Sequence, residues 1–299
     1  MQRAGGEGKQ RRIIVRSPSV AEAPGAMTRY PIDPSDRKPV GKSGETVSAI
    51  GIGTWAIRDY RRAEETLVEA VESGIDLIDT AEMYGWGLAE ELVGRVVSRV
   101  GRGRVFITTK LLPERFRSLE EAEKAAKASL SRLGVRSVDL LLIHWPDPYT
   151  PIERQVRVLE SLWERGYARY IGVSNFDARQ LQEALQATKR AEISVDQVHY
   201  SVLHKRLVEE ELLPLALKEG VTIQAYTPLE RCAVSKHPIV RRVAEELGKT
   251  PVQVALNYLI SRPRVVAIPK TERRDHLREI LGAMGWRLEP RYMEILEAI

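Results

Sequence analysis

The feature that most constrains this 299-residue chain is a unit that recurs along it. A short run of β-branched and other apolar residues is followed by a stretch whose apolar residues fall at spacings of three and four, the period of a helix with one buried face. Ile75–Asp79 precedes Leu88, Leu92, Val93, Val96 and Val100; Val105–Thr109 precedes Leu119, Ala122, Ala126, Leu130 and Leu133. Val138–Ile143 precedes Ile152, Val156, Leu159 and Leu162; Ala168–Val173 precedes Phe176, Leu181 and Leu185. With Ala49–Gly53, Ile193–Val198, Val221–Ala225 and Val265–Ile268 the strand candidates number eight. The runs do not alternate apolar with polar, as expected of parallel strands covered on both faces. Eight strand–helix units without a compositional break predict an α/β fold, a (β/α)8 TIM barrel, over a doubly wound sheet. No G-x-G-x-x-G follows any strand, which further weakens a dinucleotide fold of the doubly wound kind.

Local signals place the helix starts. Ser118 with Glu121, Thr150-Pro151 with Glu153, and Thr250-Pro251 with Gln253 each read as a cap followed by a capping-box partner. Lys42-Ser43-Gly44-Glu45 reads as a hairpin turn ahead of the first strand. Residues 1–30, rich in Gly, Arg, Pro and Ser, show no period and are expected to form a disordered extension. A single barrel domain is expected over 38–299.

Composition removes several classes of function. No run reaches the ~18 apolar residues of a membrane span. The pair Arg11–Arg12 is followed only by the apolar patch Ile13–Val15, too short for a secretory signal, so a cytoplasmic protein is expected. Cys232 is the only cysteine, which excludes an internal disulfide and a cysteine-cluster metal site, and it is expected to be inert. The histidines lack metal-ligand spacing, so no metal is expected. Of the net charge of +5, residues 1–40 hold eight Lys/Arg against four Asp/Glu. The rest is close to neutral and lacks a basic footprint for nucleic acid. Arg outnumbers Lys 34 to 12 and Asn occurs twice, a balance compatible with a hot-growing source or with biased coding.

Barrel active sites lie at the carboxyl ends of the strands. Three consecutive strands end there on chemistry-bearing residues: Asp79, leading into Thr80-Ala81-Glu82-Met83-Tyr84; Lys110; and His144, followed by Trp145-Pro146. A phenol beside an ammonium can have its pKa lowered, an Asp can hold that ammonium, and a neutral His can donate to a carbonyl oxygen. Together these are the parts of a proton donor poised at a carbonyl. Trp55, Trp86 and Trp145 fall on strand-end loops and could wall a small substrate.

At these residues the chain resembles the aldo-keto reductase family. The motifs are Gly51-x-Gly53-Thr54-Trp55, Asp79…Tyr84, Lys110, His144-Trp145-Pro146, Gly172-Val173-Ser174-Asn175-Phe176, Asp196-Gln197-Val198, Ala225-Tyr226-Thr227-Pro228-Leu229 and Ile268-Pro269-Lys270-Thr271. The resemblance implies a barrel closed underneath by an N-terminal hairpin. It implies reduction of small aldehydes or ketones with NADP(H), and with NAD(H) as a second cofactor. Hydride would come from the nicotinamide and the proton from Tyr84, with Lys110 lowering its pKa, Asp79 pairing Lys110 and His144 positioning the carbonyl. The implied cofactor site comprises Thr54, Trp55, Asp79, Ser174, Asn175, Gln197, Tyr226, Pro228, Leu229, Ile268, Lys270, Thr271, Arg273 and Arg274. The carboxamide would lie on Ser174, Asn175 and Gln197, the ring on Tyr226, and an adenosine 2′-phosphate on the cluster around Lys270. His276, Ile280 and Glu230 depart from the family pattern, where Arg, Asn and Gly are common. The expected partner is a small carbonyl substrate, and the chain is expected to be a monomer or weak oligomer. An alternative is a barrel of this family used as a cofactor-sensing regulatory subunit with little turnover.

Overall fold

The structure is a computed structural model and describes residues 28–299. It opens on an antiparallel hairpin, β1 (Arg37–Pro39) and β2 (Thr46–Ser48), with Lys38 opposite Val47. Strand–helix units follow: β3 (Ile52–Gly53), α1 (Tyr60–Glu72), β4 (Leu77–Asp79), α2 (Leu88–Val100), β5 (Phe106–Leu111), α3 (Leu119–Leu133), β6 (Val138–Ile143) and α4 (Ile152–Glu164). The chain continues through β7 (Ala168–Ser174), α5 (Ala178–Ala187), β8 (Ile193–His199), α6 (Leu213–Glu219) and β9 (Thr222–Tyr226). It ends with α7 (Pro238–Leu247), α8 (Pro251–Ile260), β10 (Val265–Ile268), α9 (Arg274–Leu281) and α10 (Pro290–Glu297). Strands β3 to β10 pair in parallel and in chain order. The ring closes where Gly51 N donates to Ala267 O and Gly53 N to Pro269 O, both at 2.9 Å.

The side-chain period of two explains how this barrel carries a polar site on an apolar floor. Leu77, Phe106, Leu140, Leu142, Val195 and Val266 pack inside the barrel with Val40 and Val47 of the hairpin, which thereby closes the bottom. One step of two toward the carboxyl ends, the same inward rows present Asp79, His144 and Gln197, and two steps beyond Phe106 comes Lys110. Gly172 lies on such a row because nothing larger fits: a Cβ there would stand 2.4 Å from Val195 O. The larger core lies between the strands and the helices.

Three details differ from the sequence reading. The expected extension over 1–30 falls outside the described residues as far as 27, but residues 28–30 are docked. Tyr30 packs on the core and its hydroxyl donates to Glu209 O. Isolated polar anchors of this kind leave no period to read. Helix α4 starts at Ile152 without a side-chain cap, because the Thr150 hydroxyl donates to Asp147 Oδ2 at 2.7 Å. Instead, Gln155 reaches back to accept from Asp147 N and to donate to Thr150 O. Between β9 and β10, and again after β10, the chain inserts one more helix than a repeated unit needs.

Candidate active site

At the carboxyl ends of β4 and β5, Lys110 Nζ lies 2.7 and 2.8 Å from the Asp79 carboxylate oxygens. It also donates to Thr80 O at 2.9 Å and to Tyr84 Oη at 3.2 Å. Lys110 is fully buried and Asp79 nearly so. Burial alone would push the ammonium down, but Asp79 and Tyr84 more than offset it and leave Lys110 above its ordinary value. Asp79 is itself fixed from two further sides: Thr54 donates twice to its carbonyl, and Gln197 Nε2 donates to Oδ1 at 2.7 Å. Tyr84 is placed by the turn after β4, where Glu82 accepts from Leu112 N at 2.7 Å and its own amide donates to Lys110 O. Glu82, and Gln224, which accepts from Gln197 at 2.9 Å, supply support that strand-end reading missed.

Lys110 acts on the Tyr84 phenol in the expected, lowering direction, but it is outweighed. Burial raises it, Lys110 lowers it and Asp79 raises it again, and the net direction is upward. The sequence shows that Lys110 and Tyr84 are neighbours but not how completely water is excluded. The imidazole of His144 meets the Tyr84 ring edge-on, with centroids 5.6 Å apart. Burial, with the Lys110 charge adding to it, pushes His144 down to about 3, so it is a neutral hydrogen-bonding group at pH 7. Its Nδ1 is buried without a partner.

Beside this cluster, Ser174 Oγ and Asn175 N both donate to Gln197 O. Asn175 is left-handed, φ 61°. Its amide donates to Ser174 Oγ and His144 O and accepts from the Tyr226 hydroxyl at 2.7 Å. A ring face, a hydroxyl and two amides form a shelf whose donor set suits an aromatic ring bearing a carboxamide. The Asn175 amide is engaged by His144 O, Ser174 and Tyr226 and the Gln197 amide by Asp79 and Gln224, so a ligand there exchanges bonds. Pro228 is buried and Leu229 half-buried in the turn after Tyr226, and Ile268 and Thr271 are buried at the end of β10.

The cationic cluster is present, but each member already has a carboxylate partner. Lys270 pairs with Glu272, Arg273 with Asp275, and Arg274 with Glu65 and Glu69. Glu272 also accepts from the amides of Arg58 and Asp59 at 3.2 and 2.8 Å, which anchors it. The three tryptophans do not form one wall. Trp145 packs on His144, 4.7 Å between centroids, and Trp55 is half exposed. Trp86 is 98% exposed, turned outward by left-handed Gly85 and Trp86. Among the described residues no group of three His, Cys, Asp or Glu could hold a metal ion, and no helix is long and apolar enough to cross a membrane.

A family model described as the aldo/keto reductase family matches residues 49–299. An aldo-keto reductase of Mycolicibacterium paratuberculosis is 35% identical over 255 residues, 84% of this chain and 85% of the relative. The NADH-specific methylglyoxal reductase of Escherichia coli is 36% identical over 222 residues, 64% of this chain and 67% of the relative. The crystal structure of an aldo/keto reductase from Klebsiella pneumoniae in complex with NADP and acetate is similar at TM-score 0.81 and 30% identity, over 88% of this chain and 94% of that one.

Proposed function

We propose that this chain, which belongs to the aldo/keto reductase family, reduces the carbonyl of small aldehydes or ketones to the alcohol with NADPH and, less well, NADH. The observation that carries this reading is the buried relay in which Lys110 Nζ touches both Asp79 and the Tyr84 hydroxyl. A reduced nicotinamide would be held by Ser174, Asn175, Gln197 and Tyr226 and, when bound, would supply the hydride. His144, neutral at pH 7, donates to the carbonyl oxygen and orients it. Tyr84, whose phenol is held above its ordinary value, keeps its proton at neutral pH and gives it to that oxygen as hydride reaches the carbon. The phenolate left behind faces the Lys110 ammonium, whose charge Asp79 keeps in place, and is reprotonated from solvent.

The adenosine end supports mixed cofactor use. A 2′-phosphate must share or displace the carboxylates on Lys270, Arg273 and Arg274, which leaves a preference for NADPH of about tenfold or less. The methylglyoxal reductase among the relatives makes a small dicarbonyl the first substrate to try. The test is steady-state reduction of methylglyoxal and of an aromatic aldehyde with each cofactor. Turnover above about 1 s⁻¹ on either fits a working enzyme. Tight NADPH binding with no turnover on a broad carbonyl panel would point to the regulatory use of the barrel.

A further inference from the structure

Behind Tyr226 stands a column of rings that the relay does not use. Tyr226 on β9 is the register partner of His199 on β8, and their rings stack with centroids 5.6 Å apart and planes 14° apart. His204 stacks on His199 more closely, at 4.0 Å and 10°. A tight turn returns His204 to that position: Ser201 N donates to His204 O at 3.0 Å, and His204 N donates to Ser201 Oγ at 2.9 Å. Burial, followed by the neighbouring His199, holds the His204 imidazole below its ordinary value, so the outer ring of the column is uncharged at neutral pH.

The edge of His199 does a second job. Its Nε2 lies 2.7 Å from Glu230 Oε1, which also accepts from Ser201 Oγ at 2.7 Å. Glu230 sits in a segment that needs holding. Thr227, Glu230, Arg231 and Cys232 have φ of 51°, 47°, 49° and 74°, left-handed values that residues with a Cβ disfavour and that persist only where surrounding contacts impose them. Beyond Glu230 the Arg231 guanidinium lies 5.4 Å from the Trp55 ring.

We propose that His199 is a positioning residue for the nicotinamide cofactor. Its ring face backs Tyr226, and its Nε2, through Glu230, fixes the segment 227–232 that follows. Histidine combines a flat face with a donating edge; phenylalanine keeps only the face and glutamine only the edge. The inference rests on the placement of the nicotinamide against Tyr226 given above.

The test compares His199→Phe and His199→Gln with wild type. NADPH release is followed by its fluorescence in stopped flow, hydride transfer in single turnover at saturating NADPH, and folding by melting temperature. In the phenylalanine variant release should quicken by about tenfold, with a smaller change in hydride transfer. In the glutamine variant hydride transfer should slow more than release quickens. Release and hydride transfer unchanged in both variants, or moving only in step with a fallen melting temperature, would overturn the positioning role while leaving the reductase reading intact. Failure of the wild type to bind NADPH would overturn the parent reading and this one with it.

Discussion

The two ends of the proposed cofactor site hold charge in opposite ways. At the reactive end, Asp79 and Lys110 sit on strand ends out of water with half-buried Tyr84 in the turn beside them, and the Asp79–Lys110 pair is backed by bonds from Gln197, Thr54 and Thr80. At the adenosine end, Lys270, Arg273 and Arg274 lie on a loop and a helix start, a third to a half exposed, in pairs that water and salt can reach. Interior charges interact strongly and cannot be left alone, whereas exposed pairs contribute at most about 1 kcal/mol each. The reactive end should therefore govern rate and stability together, and the adenosine end should govern only which cofactor is held.

The widest separation is expected from Lys110→Met. It leaves Asp79 buried without its cation, a change that typically costs about 3–5 kcal/mol, and it removes the charge that receives the phenolate. Reduction should fall by at least about 10²-fold with a large loss of melting temperature. A variant as stable as wild type would show that the Asp79–Lys110 pair does not hold this end of the barrel together.

Next comes the pH dependence carried by His144. Its folded pKa of about 3 lies below the unfolded value of ~6.5, so the unfolded chain binds the extra proton between them. The stability from neutral burial is complete above pH ~6.5 and is lost as pH falls toward 3. Between pH 6 and 4, His144→Asn should lose about 2 kcal/mol less than wild type in denaturant titrations. Parallel curves for the two proteins would place the imidazole in water.

At the other end, Glu272→Gln should free Lys270 and raise the preference for NADPH over NADH by about tenfold, and Lys270→Ala should erase most of that preference. Equal changes in both dissociation constants would mean that Lys270 does not face the 2′-phosphate. The smallest effect is that of salt. Raising ionic strength from about 0.05 to 0.5 M should weaken NADPH binding several-fold and NADH binding less, since only exposed charges are screened. Equal salt responses would erase the contrast drawn between the two ends.

The same contrast decides what could be read from the sequence. The strands were legible because burial on both faces demands largely apolar runs such as Val138–Ile143, interrupted only by Asp139, and Val265–Ile268, which the structure reproduces residue for residue. Asp79, Lys110 and His144 were legible as neighbours because consecutive parallel strands end side by side. The pairing of Lys270 with Glu272 was not, since two loop residues two apart face each other only through a particular backbone turn. Burial of Tyr84, which reverses the direction of its pKa, depends on the barrel as a whole. The outward turn of Trp86 depends on two left-handed residues that no composition announces. His199 and His204 lie five apart, a spacing that says nothing of their stacking, which is a property of the turn at Ser201.

The proposed proton donor is the hydroxyl at the end of the relay, and Tyr84→Phe tests it most directly. That variant keeps the ring against His144 and removes only the hydroxyl. Single-turnover reduction of methylglyoxal at saturating NADPH, with the NADPH dissociation constant measured on the same preparation, should show a loss of about 10²–10⁴-fold in rate and a dissociation constant within about twofold of wild type. A rate near that of wild type with NADPH bound would contradict the account.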